Sequence, residues 1–578
     1  MDAMEVMRHS AAHVMAAAVC RLFPELKLDI GPSTEEGFYY DFDLEHRLAP
    51  EDFPKIEAEM RAIIKEGLPF TRMEVSREAA REMFESQPYK LERLADIPEG
   101  ETVSLYVCGD IFMDLCRGPH VAKTSDIGAV KIMSVAGSYY RGDEKNPMLQ
   151  RLYGIVERTQ EALDATLARI EQAKLRDHRK LGRELDLFSI SDDVGPGLAH
   201  WHPKGARVRI AIEDFWRREH FRAGYEMLFT PHVGRARLWE TSGHLGFYRD
   251  GMFPPMEVPV GEGDHAAVEP YYVKPMNCPF HIQVYKAHKY SYRDLPLRWA
   301  ELGTVYRFEK EGVRHGLLRV RGFTQDDAHI FCTPEQVEGE IRATVAFALR
   351  ILRRFGFSDI TAHLATRPEK AVGPSERWEQ ATVSLRSALE AEGIAYAVDE
   401  GGGAFYGPKI DMKIKDALGR PWQLGTVQFD FNMSERFDLT YVGEDGKEHQ
   451  PYMVHRALLG SLERFFGILI EHYGGAFPLW LAAEQVRVLP ITSGQTEYAR
   501  GVEARLREAD VRVSVDDDNE KLGAKIRRAQ LDKVPFMLVV GGRDAEAGVV
   551  SVRSREAGDQ GAMSLEAFQE IFNTALKA

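Results

Sequence analysis

Two pairs of side chains near the N-terminus could bind a metal ion or hold a water molecule. The segment HSAAH places His9 and His13 four residues apart, and CRGPH repeats that interval with Cys116 and His120. Residues four apart share one face of a helix, so each pair would present its side chains together. The group could be hydrolytic or structural. Ser10 stands where a metalloprotease helix carries glutamate, which excludes that activity.

A second set of candidate ligands is spread through the middle of the chain. Cys278 lies in KPMNCPFH, His329 in QDDAHIFC and His455 in YMVHRALLG. Zinc favours cysteine and histidine, and three protein ligands leave a fourth position open for catalysis. The spacing matches no short zinc motif. From the residues alone, a buried inert cysteine with two hydrogen-bonded histidines is therefore the alternative.

The sequence contains neither of the common glycine-rich phosphate loops, G-x-x-x-x-G-K-[ST] and G-x-G-x-x-G before a helix. GGGAFYG, at residues 401–407, predicts a tight turn instead. Arginine is the other phosphate ligand. VYRFEKEG places Arg307 and Glu309 on one face of a predicted strand, and GSLERFFGIL places Arg464 in an apolar helix. Taken separately, a plain salt bridge explains either arginine better than a phosphate site does.

Composition narrows the class of protein. The chain has 578 residues and only five cysteines. So few cysteines do not form a disulfide framework, which indicates that the protein works in a reducing cytoplasm. Asp2 and Glu5 exclude a secretory signal, and no apolar run reaches the ~20 residues that span a bilayer. A net charge of −15 argues against general polyanion binding. It leaves open a nucleic acid bound through local patches.

The sequence pattern divides the chain into four regions, which must bring the candidate site residues together. Residues 1–150 mix helical and strand patterns, and 151–188 contain VERTQEALDATLARIEQAKLRDHRKLGRELDLF, which predicts one long helix joining two domains. Residues 189–482 alternate strand-like runs such as LRWAELGTVYRFE and WQLGTVQFDF with polar insertions, which predicts an antiparallel sheet with surrounding helices. Residues 483–578 alternate strands and helices as a small α/β domain would.

The chain resembles bacterial threonyl-tRNA synthetases from end to end. The motifs that carry the resemblance occur in the family's order: HSAAH, CRGPHV, GSYYRGDEKNPMLQRLYG, KPMNCPFH, ELGTVYRFE, RVRGFTQDDAHIFC, YGPKIDMKI, WQLGTVQFDF and VHRALLGSLERFFGIL. The resemblance implies an α+β multidomain protein with an editing domain, a class II catalytic sheet and an anticodon-binding domain. It also implies a homodimer that joins threonine to tRNA(Thr) through a threonyl-adenylate, with Mg²⁺ accompanying ATP.

The resemblance also implies roles for individual residues. It makes Cys278, His329 and His455 ligands of one Zn²⁺ ion, Arg307 and Arg464 the ATP-phosphate arginines, and Glu309 a neighbour of adenine. His244 would lie near the terminal ribose of the tRNA. The threonine and adenylate pocket would be lined by Gln325, Asp327, Tyr406, Lys409, Gln423, Thr426, Gln428 and Ser461. The editing site would contain His9, His13, Lys90, Asp114, Cys116 and His120, and the anticodon contacts Glu546, Arg553 and Arg555.

In this interpretation Cys278 helps to hold the metal ion that recognises the hydroxyl group of threonine. An apolar pocket separates threonine from valine by only ~10²-fold, whereas an open zinc position can take the threonine hydroxyl. Serine has that hydroxyl too and lacks only a methyl group, worth ~1–3 kcal/mol. A hydrolytic N-terminal site that removes serine from tRNA would correct this error. A zinc site that admits serine would therefore require a hydrolytic site, which the HSAAH…CRGPH region would provide.

Two features depart from the family's pattern. Many members carry glycine where this chain has Phe280, beside the first zinc ligand. Larger bacterial members begin with a small ubiquitin-like domain, whereas this sequence starts directly in the editing domain. Two alternatives remain: an inactive RNA-binding regulator, and a free-standing editing hydrolase, which would not need residues 189–482.

Overall fold

The computed structural model describes residues 1–261 and 267–577. The chain divides into two compact units, Met1–Glu171 and the remainder from Gln172 onward. Helices and sheets contribute to both, so the protein is an α+β multidomain chain as predicted. None of the helices within the described ranges is both long enough and apolar enough to cross a membrane.

The N-terminal unit is organised around one buried helix. Asp2 caps it by accepting the N–H groups of Met4 and Glu5, both at 2.8 Å, and an alanine-rich sequence continues it. The elements are α1 Ala3–Leu22, β1 Lys27–Leu28, β2 Phe38–Asp43, α2 Phe53–Glu66, β3 Phe70–Val75, α3 Arg77–Met83, α4 Pro88–Ala95, β4 Val103–Cys108, β5 Phe112–Leu115, β6 Ala129–Tyr139 and β7 Met148–Glu157. They form two sheets, β1-β2-β7-β6 and β3-β4-β5.

The prediction of one long helix within residues 151–188 is wrong. Two helices occupy the segment, α5 Gln160–Arg176 and α6 His178–Glu184. Asp177 separates them in a non-helical conformation (φ −49°, ψ 122°), and its carboxylate caps α6 by accepting the Arg179 N–H at 2.8 Å. The residues directly before the break, 172–176, are all good helix formers, so the sequence pattern alone does not locate it.

An eight-stranded sheet forms the centre of the second unit. Its elements and their neighbours are β8 Phe188–Ile190, β9 Ala199–Trp201, α7 Pro203–Arg222, β10 Glu226–Met227, β11 Val233–Arg235, α8 Ala236–Ser242, α9 His244–Phe247, β12 Met256–Val260, β13 Ala267–Val273, α10 Cys278–Lys286, β14 Tyr290–Ser291, β15 Leu297–Tyr306, β16 Gly322–Cys332, α11 Val337–Arg354, β17 Ile360–Ala365, α12 Ser375–Ala391, β18 Tyr396–Asp399, β19 Lys409–Lys415, β20 Pro421–Asp430, α13 Met433–Arg436, β21 Tyr441–Val442, β22 Glu448–His449, β23 Tyr452–Ser461 and α14 Leu462–Tyr473.

The strand order of this sheet is β10-β15-β16-β23-β20-β19-β17-β18. The six inner strands pair antiparallel, as predicted, and only the edge pairs β10/β15 and β17/β18 are parallel. Helices α11, α12 and α14 contribute to the largest apolar core, which also includes residues of the sheet. The long central strands therefore have a fixed register, which sets the positions of the side chains on their other face.

The final region is a small α/β fold. Its elements are β24 Val486–Pro490, α15 Thr496–Glu508, β25 Val513–Val515, α16 Leu522–Leu531, β26 Phe536–Val540, α17 Gly542–Ala547, β27 Val549–Ser554, β28 Gly558–Ser564 and α18 Leu565–Lys577. The sheet order is β25-β24-β26-β27-β28. The predicted alternation of strands and helices is confirmed, whereas α17 and β28 are additional elements that the sequence pattern did not indicate.

Candidate active site

A cavity of about 350 Å³ opens on the large sheet. Strands β16, β19, β20 and β23 and helices α10 and α14 supply most of its lining. Almost all of the residues predicted for the synthetic site line it, namely Cys278, Arg307, Glu309, Gln325, Asp327, His329, Tyr406, Lys409, Gln423, Thr426, Gln428, His455, Ser461 and Arg464. Residues far apart in sequence thus meet in one open cavity, at the size of a small-molecule site.

Cys278, His329 and His455 form a compact, buried group within this cavity. Cys278 begins α10, while His329 on β16 lies directly opposite His455 on β23. The two imidazole centroids are 4.7 Å apart, and one ligand atom from each of the three residues lies within 4.8 Å of the others. One sulfur and two nitrogens at this separation match the donor set of a zinc site with an open fourth position.

The hydrogen bonds around the two histidines leave one nitrogen of each ring free. His455 Nε2 lies 2.8 Å from Asp430 Oδ2, and His329 Nδ1 lies 2.9 Å from His281 Nδ1. His281 is held in turn by Glu301, whose Oε2 is 3.0 Å from His281 Nε2. Partners of this kind normally fix the tautomer and orientation of metal-binding histidines. The residues present therefore fit a zinc ion.

The chemistry of Cys278 agrees with that fit. Burial raises the pKa of the Cys278 thiol well above its ordinary range. A buried thiolate needs a neighbouring cation to be stable, and a metal ion supplies that charge. Phe280, the residue that departs from the family's pattern, lies two positions further on and packs against Trp239 in a separate apolar cluster.

Arg307 and Arg464, two of the arginines that line the cavity, have no carboxylate partner. Arg307 donates from Nε to Pro275 O at 3.3 Å, and its guanidinium lies 5.1 Å from the Phe323 ring centre. Arg464, in α14, donates from Nε to Leu318 O at 3.0 Å. Within residues 1–261 and 267–577, neither makes an ion pair. Burial lowers the pKa of Arg464, and Arg307 adds to the effect. Such uncompensated positive charge favours an anionic ligand.

The prediction that Arg307 and Glu309 share a strand face is wrong. Strand β15 ends at Tyr306, so Arg307 and Glu309 lie beyond it and do not share a strand face. Glu309 Oε2 instead accepts a hydrogen bond from Arg319 Nε at 3.1 Å. Arg319 also lines the cavity, and sequence reasoning missed it.

Polar side chains on the other strands hold one another in place. Asp411 accepts from Thr426 Oγ1 at 2.8 Å and pairs with Lys409 Nζ at 2.7 Å. Tyr406 donates its hydroxyl to Gln428 Oε1 at 2.9 Å. These contacts fix several of the predicted pocket residues before any ligand binds. Asp411 was not predicted from the sequence.

A bulge in the sheet brings Ser461 and Arg464 to the cavity. The buried Asp326 carboxylate accepts the consecutive N–H groups of Leu458, Leu459 and Gly460, each at 2.9 Å. The register between β16 and β23 shifts at this point, and β23 passes directly into α14. Ser461 caps that helix by accepting the Arg464 N–H at 3.1 Å. The side chain of Gln325, which pairs with Ser461 in the sheet, keeps a buried Oε1 without a partner among the described residues.

Five predicted residues have different surroundings or partners. His244 is buried at the start of α9 outside the cavity lining, with Nδ1 2.7 Å from Ser242 Oγ, and burial lowers its pKa to about 4. Asp327, within the cavity, accepts from Asn277 Nδ2 at 3.1 Å. In the last domain, Glu546 is exposed on α17 and Arg553 is half-buried on β27. Arg555 donates to Lys533 O at 2.8 Å and Phe477 O at 2.9 Å, so its guanidinium is already engaged within the fold.

The N-terminal unit has its own cluster. Cys116 Sγ lies 3.4 Å from His9 Nε2 and 3.3 Å from His120 Nε2, and His13 completes a group whose ligand atoms are within 4.8 Å of one another. Burial lowers the pKa values of His9, His13 and His120, so their rings are neutral, and it raises the pKa of the Cys116 thiol to about 12. Neutral imidazoles can accept a proton or orient a water.

A buried charged group supports this cluster. Lys90 Nζ contacts Asp114 Oδ1 and lies 3.0 Å from the Tyr40 hydroxyl, which donates to Asp114 Oδ2 at 2.6 Å. His13 Nε2 is 3.5 Å from the same carboxylate oxygen. The six residues predicted for editing are therefore brought together. Tyr40 completes the group and was missed, because an aromatic residue in a strand pattern is normally a core residue.

Known proteins resemble this chain along most of its length. Family models match residues 264–473 (tRNA synthetase class II core domain for G, H, P, S and T), 485–574 (anticodon binding domain) and 103–153 (threonyl and alanyl tRNA synthetase second additional domain). The threonine–tRNA ligase of Nitrosococcus oceani is 55% identical over 99% of this chain and 87% of its own. That of a Sulfurihydrogenibium species is 52% identical over 98% and 87%.

A solved structure agrees with these matches. The RNA binding domain of threonyl-tRNA synthetase from Cryptosporidium parvum aligns with a TM-score of 0.65 at 38% identity, covering 69% of this chain and 98% of that one. The two alignments with these ligases exceed 50% identity, and they extend over all three matched domains. This protein therefore belongs to the threonyl-tRNA synthetase family, with a class II core, an anticodon-binding domain and a second additional domain.

Proposed function

We propose that this chain is a threonine–tRNA ligase that joins threonine to tRNA(Thr) at the expense of ATP and hydrolyses mischarged seryl-tRNA(Thr). The observation that carries the proposal is the single cavity in which the Cys278/His329/His455 group and the unpaired Arg307 and Arg464 meet. An inactive RNA-binding regulator is not supported, because it would not need both sets of side chains and the relatives are named ligases.

Recognition of threonine would depend on the metal group. Cys278, His329 and His455 would hold one Zn²⁺ ion, which supplies an open position for the amino group and hydroxyl of threonine. Valine has no hydroxyl, so its binding leaves that position unsatisfied, and a site built for a polar group rejects such an analogue strongly. Gln325, Asp327 and Gln428 are the lining residues whose polar atoms would surround the rest of the amino acid.

Formation of the adenylate would depend on the arginines. Arg307 and Arg464 would contact ATP phosphates, with Mg²⁺ accompanying the nucleotide, and Glu309 would lie near adenine. Their positive charge stabilises the charge that develops as the threonine carboxylate attacks the α-phosphate and pyrophosphate leaves. Because Leu318 and Pro275 carbonyls already hold the two guanidinium groups, little reorganisation is needed on binding. His244, with an unpartnered Nε2 in the described structure, would serve the terminal ribose of the tRNA.

Hydrolytic editing would occur in the N-terminal unit. His9, His13, Cys116 and His120 surround a space where a neutral imidazole can orient and deprotonate a water. The Lys90–Asp114 pair would keep His13 in position and offer positive charge to the ester. In this reaction the water attacks the serine ester carbonyl and the ribose hydroxyl is the leaving group, and a neutral histidine can orient the water unaided.

The remaining assignments follow from this function. We assign residues 1–150 to editing, 151–188 to the connection, 189–482 to catalysis and 483–578 to the anticodon, with Glu546, Arg553 and Arg555 as candidate contacts. A homodimer is supported by exposed apolar side chains in the catalytic region, among them Phe229 at 90% and Val268 at 60% exposure. We place the enzyme in the cytoplasm.

The test is amino-acid-dependent exchange of radiolabelled pyrophosphate into ATP. Threonine should support rapid exchange, serine slower exchange and valine almost none. Exchange that does not depend on any amino acid, or that prefers valine to threonine, would contradict the proposal. A gel-filtration or light-scattering mass of twice 65.4 kDa would test the dimer.

A further inference from the structure

A histidine outside the cavity joins three elements of the second unit. His178 is the first residue of α6, directly after the break at Asp177, and its side chain is completely buried. Its Nδ1 lies 2.7 Å from Glu471 Oε1 on α14. Its Nε2 accepts the Leu317 N–H at 3.0 Å. Since a backbone amide can only donate, the ring must be the tautomer with its proton on Nδ1.

The contact with Leu317 reaches the cavity in one further step. Leu318, the next residue, lines the cavity, and its carbonyl accepts the Arg464 Nε–H at 3.0 Å. Both residues belong to the loop between β15 and β16, which also carries Arg307 and Arg319. His178 thus holds the loop from one side, while α14 contributes both Glu471 and Arg464.

The local backbone is shaped for this contact. Gly316 has φ of +49°, and a Cβ built there would lie 2.1 Å from His178 Nε2. Only glycine permits both the left-handed conformation and so close an approach of the loop to the ring. The close fit indicates that the loop is positioned against His178 and does not merely pass near it.

The same residues could be mistaken for a metal site. Asp177, His178 and Glu471 present ligand atoms within 4.8 Å of one another. Both ring nitrogens of His178 are already engaged, however, and Arg420 Nη2 lies 2.5 Å from Glu471 Oε2. A cation would have to displace these partners, so the group is a hydrogen-bonded support.

We propose that His178 is a positioning residue for adenylate formation: through Leu317 and Leu318 it sets the place of Arg464 and of the loop that carries Arg307. This rests on the proposed function, since it assigns these arginines to ATP. His178 touches no substrate. Loss of the contact would displace the arginines by a fraction of an ångström to an ångström, and misplacement of about 1 Å can cost ~10²-fold in rate.

Two substitutions distinguish the two hydrogen bonds that the His178 ring makes, one with Glu471 and one with Leu317. In His178→Gln the amide can place an oxygen near the position of Nε2 and still accept the Leu317 N–H. In His178→Asn the shorter side chain places its amide near Nδ1, so it can donate to Glu471 but leaves Leu317 without an acceptor. The matched control is His220→Asn, because His220 is also completely buried in this unit but donates to Trp216 O of its own helix at 2.7 Å and does not line the cavity.

The experiment measures threonine-dependent pyrophosphate exchange for each variant, with kcat and KM for ATP and for threonine determined separately. Thermal unfolding, zinc content and hydrolysis of preformed seryl-tRNA report whether the fold survives. We expect His178→Asn to lower kcat/KM for ATP by about 10–100-fold, with threonine KM and editing unchanged. His178→Gln should recover most of this loss, and Gly316→Ala should resemble His178→Asn.

Other outcomes overturn the inference. If His178→Asn and His220→Asn lose only thermal stability and keep wild-type kcat/KM for ATP, His178 is structural. If Gln and Asn at 178 are equally impaired, the Leu317 contact is not what matters. A wild-type chain without threonine-dependent exchange would overturn the proposed function itself, and the inference with it, whereas an active wild type with fully active variants overturns the inference alone.

Discussion

Replacing Asp430 with asparagine should weaken zinc binding although every ligand remains. Asp430 Oδ2 lies 2.8 Å from His455 Nε2, while Oδ1 accepts the N–H groups of Asn432 at 2.7 Å and Met433 at 2.9 Å. Those two donors require an oxygen, so they fix the orientation of the new side chain. In Asp430→Asn the amide nitrogen would therefore face His455.

The consequence is a change of tautomer. An amide nitrogen donates, so His455 Nε2 would have to accept, and the ring proton would move to Nδ1. Nδ1 is the nitrogen left for the metal, and a protonated nitrogen cannot bind zinc. Loss of such a supporting partner typically costs about 10–100-fold in metal affinity, or about 1.4–2.8 kcal/mol.

The assay is competition for zinc with a chromogenic chelator, followed by the KM for threonine at limiting zinc. Zinc affinity should fall within the stated range, and the threonine KM should rise with it and recover when zinc is added. Asp41→Asn is the control, because Asp41 is also buried but pairs with Arg151 in the N-terminal unit. Wild-type zinc affinity in Asp430→Asn would refute the tautomer argument.

Three further predictions concern the separation of the two activities. Arg307→Ala and Arg464→Ala should each lower adenylate formation by about 10²–10³-fold, measured by pyrophosphate exchange, because each removes charge stabilisation from the transition state. Hydrolysis of preformed seryl-tRNA should be unchanged, and a parallel fall in both activities with the fold intact would be incompatible with separate sites. His13→Ala and Cys116→Ala should leave threonyl-tRNA formation near normal but let seryl-tRNA accumulate when serine, ATP and tRNA are supplied. Equal seryl-tRNA levels in variant and wild type would make the cluster structural. Because burial lowers the pKa values of His13 and His120, their neutral forms persist as pH falls, so editing should not decline with a midpoint near the ordinary histidine value of ~6.5. A titration of editing centred there would contradict this.

Sequence reasoning located the long elements of the fold. The alternating runs that became β15 and β20 predict an antiparallel sheet, because period-two burial is strongly marked in long strands. The break between α5 and α6 was missed, since Asp177 follows a continuous run of helix formers. The residue after the break makes a tertiary contact: His178 is held by Glu471, almost three hundred residues further on. No local pattern contains that information.

The same limit applies to the candidate sites. Cys278, His329 and His455 could be found because their residue types are rare and chemically distinctive. Asp430, His281 and Glu301, which orient the two histidines, are ordinary polar residues in the sequence. Their role depends on the register of strands β15, β16, β20 and β23 and on the packing of α10 against them, and contacts between distant elements are not readable from one sequence. Arg319 was missed because it lies in the loop between β15 and β16, and Tyr40 because an aromatic residue in a strand pattern is normally a core residue.

The most direct test combines zinc content and threonine activation in Cys278→Ala. The wild-type chain should bind about one zinc ion, since three ligands form one open site. Cys278→Ala should lose both the zinc and threonine-dependent pyrophosphate exchange, while thermal unfolding and seryl-tRNA hydrolysis remain as in the wild type. A zinc-free Cys278→Ala protein that activates threonine at the wild-type rate would contradict a metal-dependent threonine site in this cavity.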